Sequence, residues 1–141
     1  MRLSGHSVYR TQYHIVFVTK YRRRALNPAK FRQVAQRYIQ QAASTIDGVV
    51  IEELNIQPDH VHMMVIIPPR YAVSKVVEII KSVSAKHIRR EIPWLDSIYY
   101  GTQSLWTVGY FVSTVGIDED IIRRYVRYQD EQDSGQAQLE F

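Results

Sequence analysis

Two histidines separated by one residue are the first feature of the sequence whose types and spacing could do chemistry. His60 and His62 begin a stretch rich in β-branched residues, which predicts a strand. Residues i and i+2 of a strand project from the same face, so both imidazoles point one way and Val61 points the other. Two imidazoles side by side on a rigid strand are suited to a divalent metal ion. The simpler interpretation is a pair of polar residues on an exposed sheet face.

A tyrosine and a glutamine four residues apart are the second candidate. Tyr125 and Gln129 fall in a segment with helical periodicity, where residues i and i+4 lie on one face. A phenol and an amide carbonyl on that face could contact one metal-bound phosphate together. Tyr128 is adjacent to Gln129 and therefore points away from it, which favours Tyr125. The simpler interpretation is a tyrosine in the core of an amphipathic helix.

The elements that must position these residues follow from the pattern of the whole chain. Strands are predicted over residues 13–20, 49–56, 60–67 and 105–115. Helices are predicted from an Asn27 N-cap to about 45, over 73–91, and over 119–132 after an Asp118 N-cap. The order β-α-β-β-α-β-α predicts an α+β fold, a ferredoxin-like (RNA-recognition-like) antiparallel sheet with helices on one face. We expect one domain over 1–132 and a flexible polar tail over 133–141.

The composition restricts the classes of function. A net charge of +4 favours a polyanionic partner. The absence of cysteine excludes disulfides, thiolate metal sites and cysteine nucleophiles, and it suits a cytoplasmic protein. No apolar run is long enough to span a bilayer and no secretory signal is apparent, so we expect no membrane partner. No Walker-type glycine-rich loop is present, so we expect no nucleotide cofactor.

Several blocks of sequence together resemble one family. QPDHVHMMVIIP resembles the HUH motif (histidine, bulky apolar residue, histidine) of the TnpA-type single-tyrosine transposases that the smallest bacterial insertion sequences encode. Four other blocks resemble parts of the same family. YHIVFVTKYRRR resembles its first strand and basic turn, and KSVSAKHIRREIP resembles its second helix. LWTVGYFVSTVG resembles the strand before its last helix, and IIRRYVRYQ resembles its nucleophile helix. The resemblance covers about residues 9–132, and its order and spacing make it far more specific than the histidine pair.

The resemblance implies a role for each of the four candidate residues. His60, His62 and Gln129 would hold a divalent metal, Mg²⁺ or Mn²⁺, and Tyr125 would be the nucleophile. The chain would cleave and rejoin single-stranded DNA at insertion-sequence ends through a 5′-phosphotyrosine, without ATP. The family further implies recognition of DNA hairpins and a homodimer in which the tyrosine helix of one subunit completes the histidine site of the other. The residues themselves leave open whether that helix acts in cis or in trans.

Basic residues in three places are candidate contacts to the DNA backbone. They are Lys20, Arg22, Arg23 and Arg24 in a basic turn, Lys75, Lys86 and Arg89 on the second helix, and Arg123, Arg124 and Arg127 beside the nucleophile. The simpler interpretation is a solvated surface, and the basic turn, which is denser and matches a block of the family, is the favoured contact. Of the other histidines in structured segments, His87 is predicted to be a core residue and His14 is ambiguous.

Two alternatives to a transposase remain. The first is a non-catalytic RNA-recognition-like module, because Gly109-Tyr110-Phe111-Val112 weakly resembles the aromatic strand on which such modules stack bases. Val108 stands where that signature needs a basic residue, and the module leaves the joint presence of the histidine pair and the Tyr-Gln pair unexplained. The second is a host-domesticated HUH nickase that acts on repeated palindromes, with the same active site and a different substrate.

Overall fold

The computed structural model describes residues 2–4, 7–102 and 104–133. Its strands are β1 (Arg2–Ser4), β2 (Ser7–Tyr9), β3 (Gln12–Val18), β4 (Val50–Ile56), β5 (His60–Ile66) and β6 (Phe111–Ser113). Its helices are α1 (Ala29–Ser44), α2 (Val73–Glu91) and α3 (Glu119–Asp133), with short 3-10 helices at Lys20–Arg22 and Pro93–Ser97. From β3 onwards this is the predicted order, and the β1–β2 hairpin lies outside the prediction.

Strands β3 to β6 form an antiparallel sheet in the order β4-β5-β3-β6. The central pair, β3 and β5, is in register from Gln12 opposite Ile66 to Val18 opposite His60. Strand β4 joins β5 through a tight connection, in which the Gln57 N–H donates to the carbonyl of His60 at 2.8 Å. The predicted hairpin and the predicted ferredoxin-like antiparallel sheet are therefore confirmed.

One face of the sheet is buried beneath α1 and α2. Alternate residues of the central strands fill this core, namely Ile15, Phe17, Val61, Met63 and Val65. The helices contribute Ala35, Ile39, Val76, Val77, Ile80 and Ile88. The β-branched and apolar residues that predict the strands are thus the ones that leave water on folding. Helix α2 has the predicted limits, and it ends before Pro93 because proline cannot continue a helix.

The opposite face of the sheet is covered by α3. Val16 and Val18 of β3 pack with Tyr125 and Val126 of α3 in a second, smaller hydrophobic cluster. The predicted cap of this helix is confirmed, since the Asp118 Oδ1 accepts a backbone N–H of the first turn at 2.8 Å. The expectation of helices on one face holds for α1 and α2, whereas α3 lies on the other face.

The prediction of one long strand over residues 105–115 is wrong. Only Phe111–Ser113 lies in the sheet, and Trp106 forms an isolated bridge with Thr19. Between them Gly109 has a φ of 96°, a left-handed conformation that ends the extended backbone. The apolar run is therefore a bent connection followed by a short edge strand.

Two element ends also differ from the prediction. Helix α1 starts at Ala29 and its N-cap is Pro28, in an extended conformation, rather than Asn27. Asp133 belongs to α3 and not to the predicted tail, whose other residues, 134–141, lie outside the described part. In the described part of the chain, no helix combines the length and apolar character needed to cross a membrane.

We expect Gly48→Ala to destabilise the fold. Gly48 has a φ of 85°, and a Cβ there would lie 2.7 Å from the Pro68 Cγ. Backbone strain and the clash add, so the free energy of unfolding should fall by about 1–3 kcal/mol, measured by urea denaturation. Gly116→Ala is the matched control, since an added Cβ would meet nothing within 4 Å. Equal losses in the two variants would contradict this explanation.

Candidate active site

Strand β5 directs both histidines to the sheet face that α3 covers. Their partners across the β3–β5 pair are Val18 for His60 and Val16 for His62, and directly paired residues share a face. Both imidazoles are partly buried, while Val61 between them is fully buried in the core on the other side. The predicted common orientation of the two histidines is confirmed.

Asp59 orients the first of these histidines. Its Oδ1 lies 2.9 Å from the His60 Nδ1, and the side chains are only 17% (His60) and 13% (Asp59) exposed. An ionised carboxylate can only accept, so the Nδ1 carries a proton, and in the neutral tautomer with that proton the lone pair is on Nε2. Asp59 was not among the predicted site residues, although a carboxylate directly before a candidate ligand histidine is a signal in the sequence.

His14 contacts the second histidine. The Nδ1 of His14 lies 3.3 Å from the Nε2 of His62, with the ring centroids 5.5 Å apart. Burial lowers the pKa of His62, and the neighbouring His14 and His60 lower it further. The neutral ring is thereby favoured, which is the form that can bind a metal ion. His14 lies on β3 and His62 lies on β5, so their contact depends on the register between these two strands.

The two predicted residues of α3 contact each other directly. Tyr125 is 4% exposed and Gln129 is 5% exposed, and the Gln129 Nε2 donates to the Tyr125 Oη at 2.7 Å. Burial raises the pKa of the Tyr125 phenol well above its ordinary value, and the hydrogen bond from Gln129 opposes that rise. Phe111 of β6 covers the ring at 5.7 Å between centroids, so Phe111 packs against α3 rather than offering a base-stacking surface.

The donor atoms of this face fit a divalent cation. The Gln129 Oε1 is buried and has no hydrogen-bond partner within the described residues. A buried acceptor without a hydrogen bond destabilises the fold by about 1–3 kcal/mol, and a cation bound to that oxygen would offset this loss. Within the same residues, no group of three or more histidine, aspartate or glutamate side chains could hold a metal ion. The unpartnered amide oxygen of Gln129 is, by its chemistry, able to act as a ligand beside an imidazole pair.

The predicted DNA-contact residues differ in their surroundings. Arg23, Arg24 and Lys86 are exposed, and Lys20 is partly buried with its ammonium 5.6 Å from the Tyr21 ring. Arg124 is paired with Asp120 one turn earlier on α3, at 2.5 Å. The side chain of Arg22 lies outside the described residues.

Arg89 corrects the predicted basic stripe of α2. Its side chain is 8% exposed, and its guanidinium donates to the Ser104 carbonyl at 2.6 Å and to the Asp96 Oδ1 at 2.9 Å. Arg89 therefore holds the chain that follows α2 and presents no free charge to DNA. His87 is partly buried and stacks on Tyr38 at 5.2 Å between centroids, so it lies at the edge of the α1–α2 contact and not, as predicted, in the core.

Comparisons with known proteins bear on the whole chain. The family model described as "Transposase IS200 like" matches residues 7–129. The transposase for insertion sequence element IS200 of Salmonella typhimurium is 34% identical over 135 residues, which cover 96% of this chain and 87% of the relative. The ISDra2 transposase TnpA of Deinococcus radiodurans is 27% identical over 125 residues, with 86% of each chain covered.

Two solved structures share the fold. A candidate transposase from Deinococcus radiodurans superimposes with a TM-score of 0.73 at 23% identity, covering 99% of this chain and all of the other. A REP-associated tyrosine transposase bound to a REP hairpin gives a TM-score of 0.53 at 16% identity, covering 96% of this chain and 76% of the other. Together, the family match over most of the chain and the 34% identity to the IS200 transposase show that this chain is an enzyme of the IS200-like transposase family.

Proposed function

We propose that this transposase cuts and rejoins single-stranded DNA at insertion-sequence ends, with Tyr125 as the nucleophile. His60, His62 and Gln129 would hold the divalent metal, Mg²⁺ or Mn²⁺. The observation that carries the proposal is the packing of α3 on the histidine face of its own sheet, with the Gln129 Oε1 buried and unpartnered.

The protein groups around the metal site have distinct tasks. Asp59 holds the proton of a neutral His60 on Nδ1 and so directs the Nε2 lone pair to the metal, and burial lowers the pKa of His62, which favours its neutral form. Gln129 presents its Oε1 while its Nε2 holds the Tyr125 Oη. A divalent ion bound there would supply Lewis-acid stabilisation of the phosphate charge and favour the phenolate. No ligand carries a negative charge, so the site remains net positive towards DNA.

Cleavage exchanges one phosphate ester for another. The Tyr125 Oη attacks phosphorus, the bond from phosphorus to the DNA O3′ breaks, and the phenol proton is balanced by the proton that the released O3′ gains. The product is a 5′-phosphotyrosine and a free 3′-hydroxyl. A 3′-hydroxyl of another strand can reverse the step and release Tyr125, so the ester energy is kept and no ATP is needed.

The burial of Tyr125 bears on assembly. With 4% of its surface exposed and its pKa raised, the phenol is protonated and shielded from a phosphate. We infer that α3 shifts enough to expose the phenol before cleavage; its apolar side packs on a small cluster that includes Val16 and Val18. We propose a homodimer as the assembly; in the described state α3 covers the histidine pair of its own sheet.

Hairpin DNA is the proposed substrate. The exposed Arg23, Arg24 and Lys86 provide cations for phosphates, and the structurally similar REP-associated transposase is bound to a hairpin. The family membership favours this activity over a non-catalytic RNA-recognition-like module.

Tyr125→Phe should abolish covalent attachment to DNA, because the phenylalanine has no oxygen to attack phosphorus. Labelled single strands from the flanks of the gene, incubated with Mg²⁺ or Mn²⁺, would reveal the adduct on a denaturing gel. Tyr128→Phe, in the next turn, is the matched control and should retain the adduct. Loss of the adduct in Tyr128→Phe with retention in Tyr125→Phe would overturn the assignment.

Chelation of divalent ions, or His62→Ala, should remove the adduct while DNA binding persists. Asp59→Asn should weaken Mn²⁺ binding by roughly 10- to 100-fold, since it loses the carboxylate that orients His60. Titration followed by the electron paramagnetic resonance of free Mn²⁺ measures the metal affinity of both variants, and the denaturing gel measures the adduct. His87→Ala, a histidine on another surface, serves as the control. Wild-type Mn²⁺ affinity in His62→Ala would exclude this metal site.

Arg24→Gln should weaken DNA binding and lower the slope of log Kobs against log salt by about 0.7, the value for one phosphate contact on a single strand. Fluorescence anisotropy with a labelled hairpin at several salt concentrations gives the slope. Arg37→Gln, an exposed arginine of α1 paired with Glu91, removes the same charge elsewhere. Equal slopes for the two variants would mean that Arg24 acts only through net charge.

A further inference from the structure

Lys81 occupies the middle of α2 and extends beneath the bent connection that precedes β6. Its Nζ donates to the Thr107 carbonyl at 2.6 Å and to the Gly109 carbonyl at 2.7 Å. Burial lowers the pKa of Lys81 to about 8. A buried amine needs acceptors, and these two carbonyl oxygens provide them. The partly buried ammonium of Lys81 therefore binds the backbone of this connection.

The connection held by Lys81 contacts α3 through Thr107 and Gly109, the same two residues whose carbonyls accept from Lys81. A Cβ on Gly109 would lie 3.1 Å from the Gln129 Nε2, so the backbone there is in close contact with that amide. The Thr107 Oγ1 donates to the Asp133 Oδ1 at 2.5 Å. Gln129 and Asp133 are one helical turn apart, so both contacts lie on one side of α3.

The two halves of the connection are fixed in different ways. Its first half is tied to the end of β3, because the Thr107 N–H donates to the Val18 carbonyl at 2.9 Å. Gly109 lies beyond that bond, with a φ of 96°, and regular pairing resumes only at Phe111. The hydrogen bond from Lys81 to the Gly109 carbonyl therefore acts where the sheet does not hold the backbone.

We propose that Lys81 is a positioning residue for the catalytic helix: through Gly109 and Thr107 it sets where Gln129 stands relative to the histidine pair. The Gln129 Nε2 also holds the Tyr125 Oη, so a change in the connection moves the third ligand and the nucleophile together. This inference rests on the proposed role of Gln129 as a metal ligand.

The test compares Lys81→Met, which keeps the length and apolar stem of the side chain, with Arg90→Met, which removes a cation at an exposed position of the same helix. We expect Lys81→Met to weaken Mn²⁺ binding and slow single-turnover adduct formation by roughly tenfold, as loss of a residue that supports a ligand does. The hairpin Kd should change less than twofold, and Arg90→Met should leave Mn²⁺ affinity unaltered. Unchanged Mn²⁺ affinity in a folded Lys81→Met variant would overturn the inference.

A double-mutant cycle separates positioning from a general loss of stability. If Lys81 acts through Gln129, Lys81→Met should have no further effect on Mn²⁺ affinity in a Gln129→Ala background. A full tenfold effect in that background would overturn the inference while leaving the metal site intact. If Gln129→Ala itself leaves Mn²⁺ affinity unchanged, the proposed ligand role of Gln129 fails, and this inference fails with it.

Thr107→Val tests the same link if Lys81→Met does not fold. The substitution is nearly isosteric and removes the bond to Asp133 without altering α2. It should weaken Mn²⁺ binding in the same direction as Lys81→Met. Wild-type affinity in a folded Thr107→Val variant would count against the connection as the support of α3.

Discussion

The packing of α3 against the second face of the sheet is the interaction on which the candidate site depends. Helices α1 and α2 fill the first face, so the face with the two histidines is the one left for α3. Val16 and Val18 link the two sets of residues, since they lie opposite the two histidines of the neighbouring strand β5 and pack against Tyr125. One hydrophobic cluster therefore joins residues that are more than sixty positions apart in sequence.

The burial that creates this arrangement has opposite effects on its polar groups. It lowers the pKa of His62, which favours the neutral imidazole, and it raises the pKa of the Tyr125 phenol, which opposes formation of the phenolate. It also leaves the Gln129 Oε1 without a partner. In the described state the Tyr125 side chain is thus enclosed between α3 and the sheet.

Two basic residues of α2 show why charge patterns are hard to interpret from sequence. Arg89 was predicted to face DNA, yet it donates to the Ser104 carbonyl from a buried position. Lys81 likewise donates to the carbonyls of Thr107 and Gly109. Both cations hold the irregular chain between α2 and β6, where backbone carbonyls lack the regular pairing that a strand would give them. A long strand at that place would have needed neither contact.

The sequence alone determined whatever depends on neighbours within a few residues. The shared faces of His60 with His62 and of Tyr125 with Gln129, the limits of α2 and the β4–β5 hairpin follow from local periodicity and turn residues. The tertiary structure decided the contact of His14 with His62, the burial of Arg89, the bend at Gly109 and the face on which α3 packs. These depend on strand register and on contacts between distant segments, and a local pattern carries no information about which distant surface will cover it.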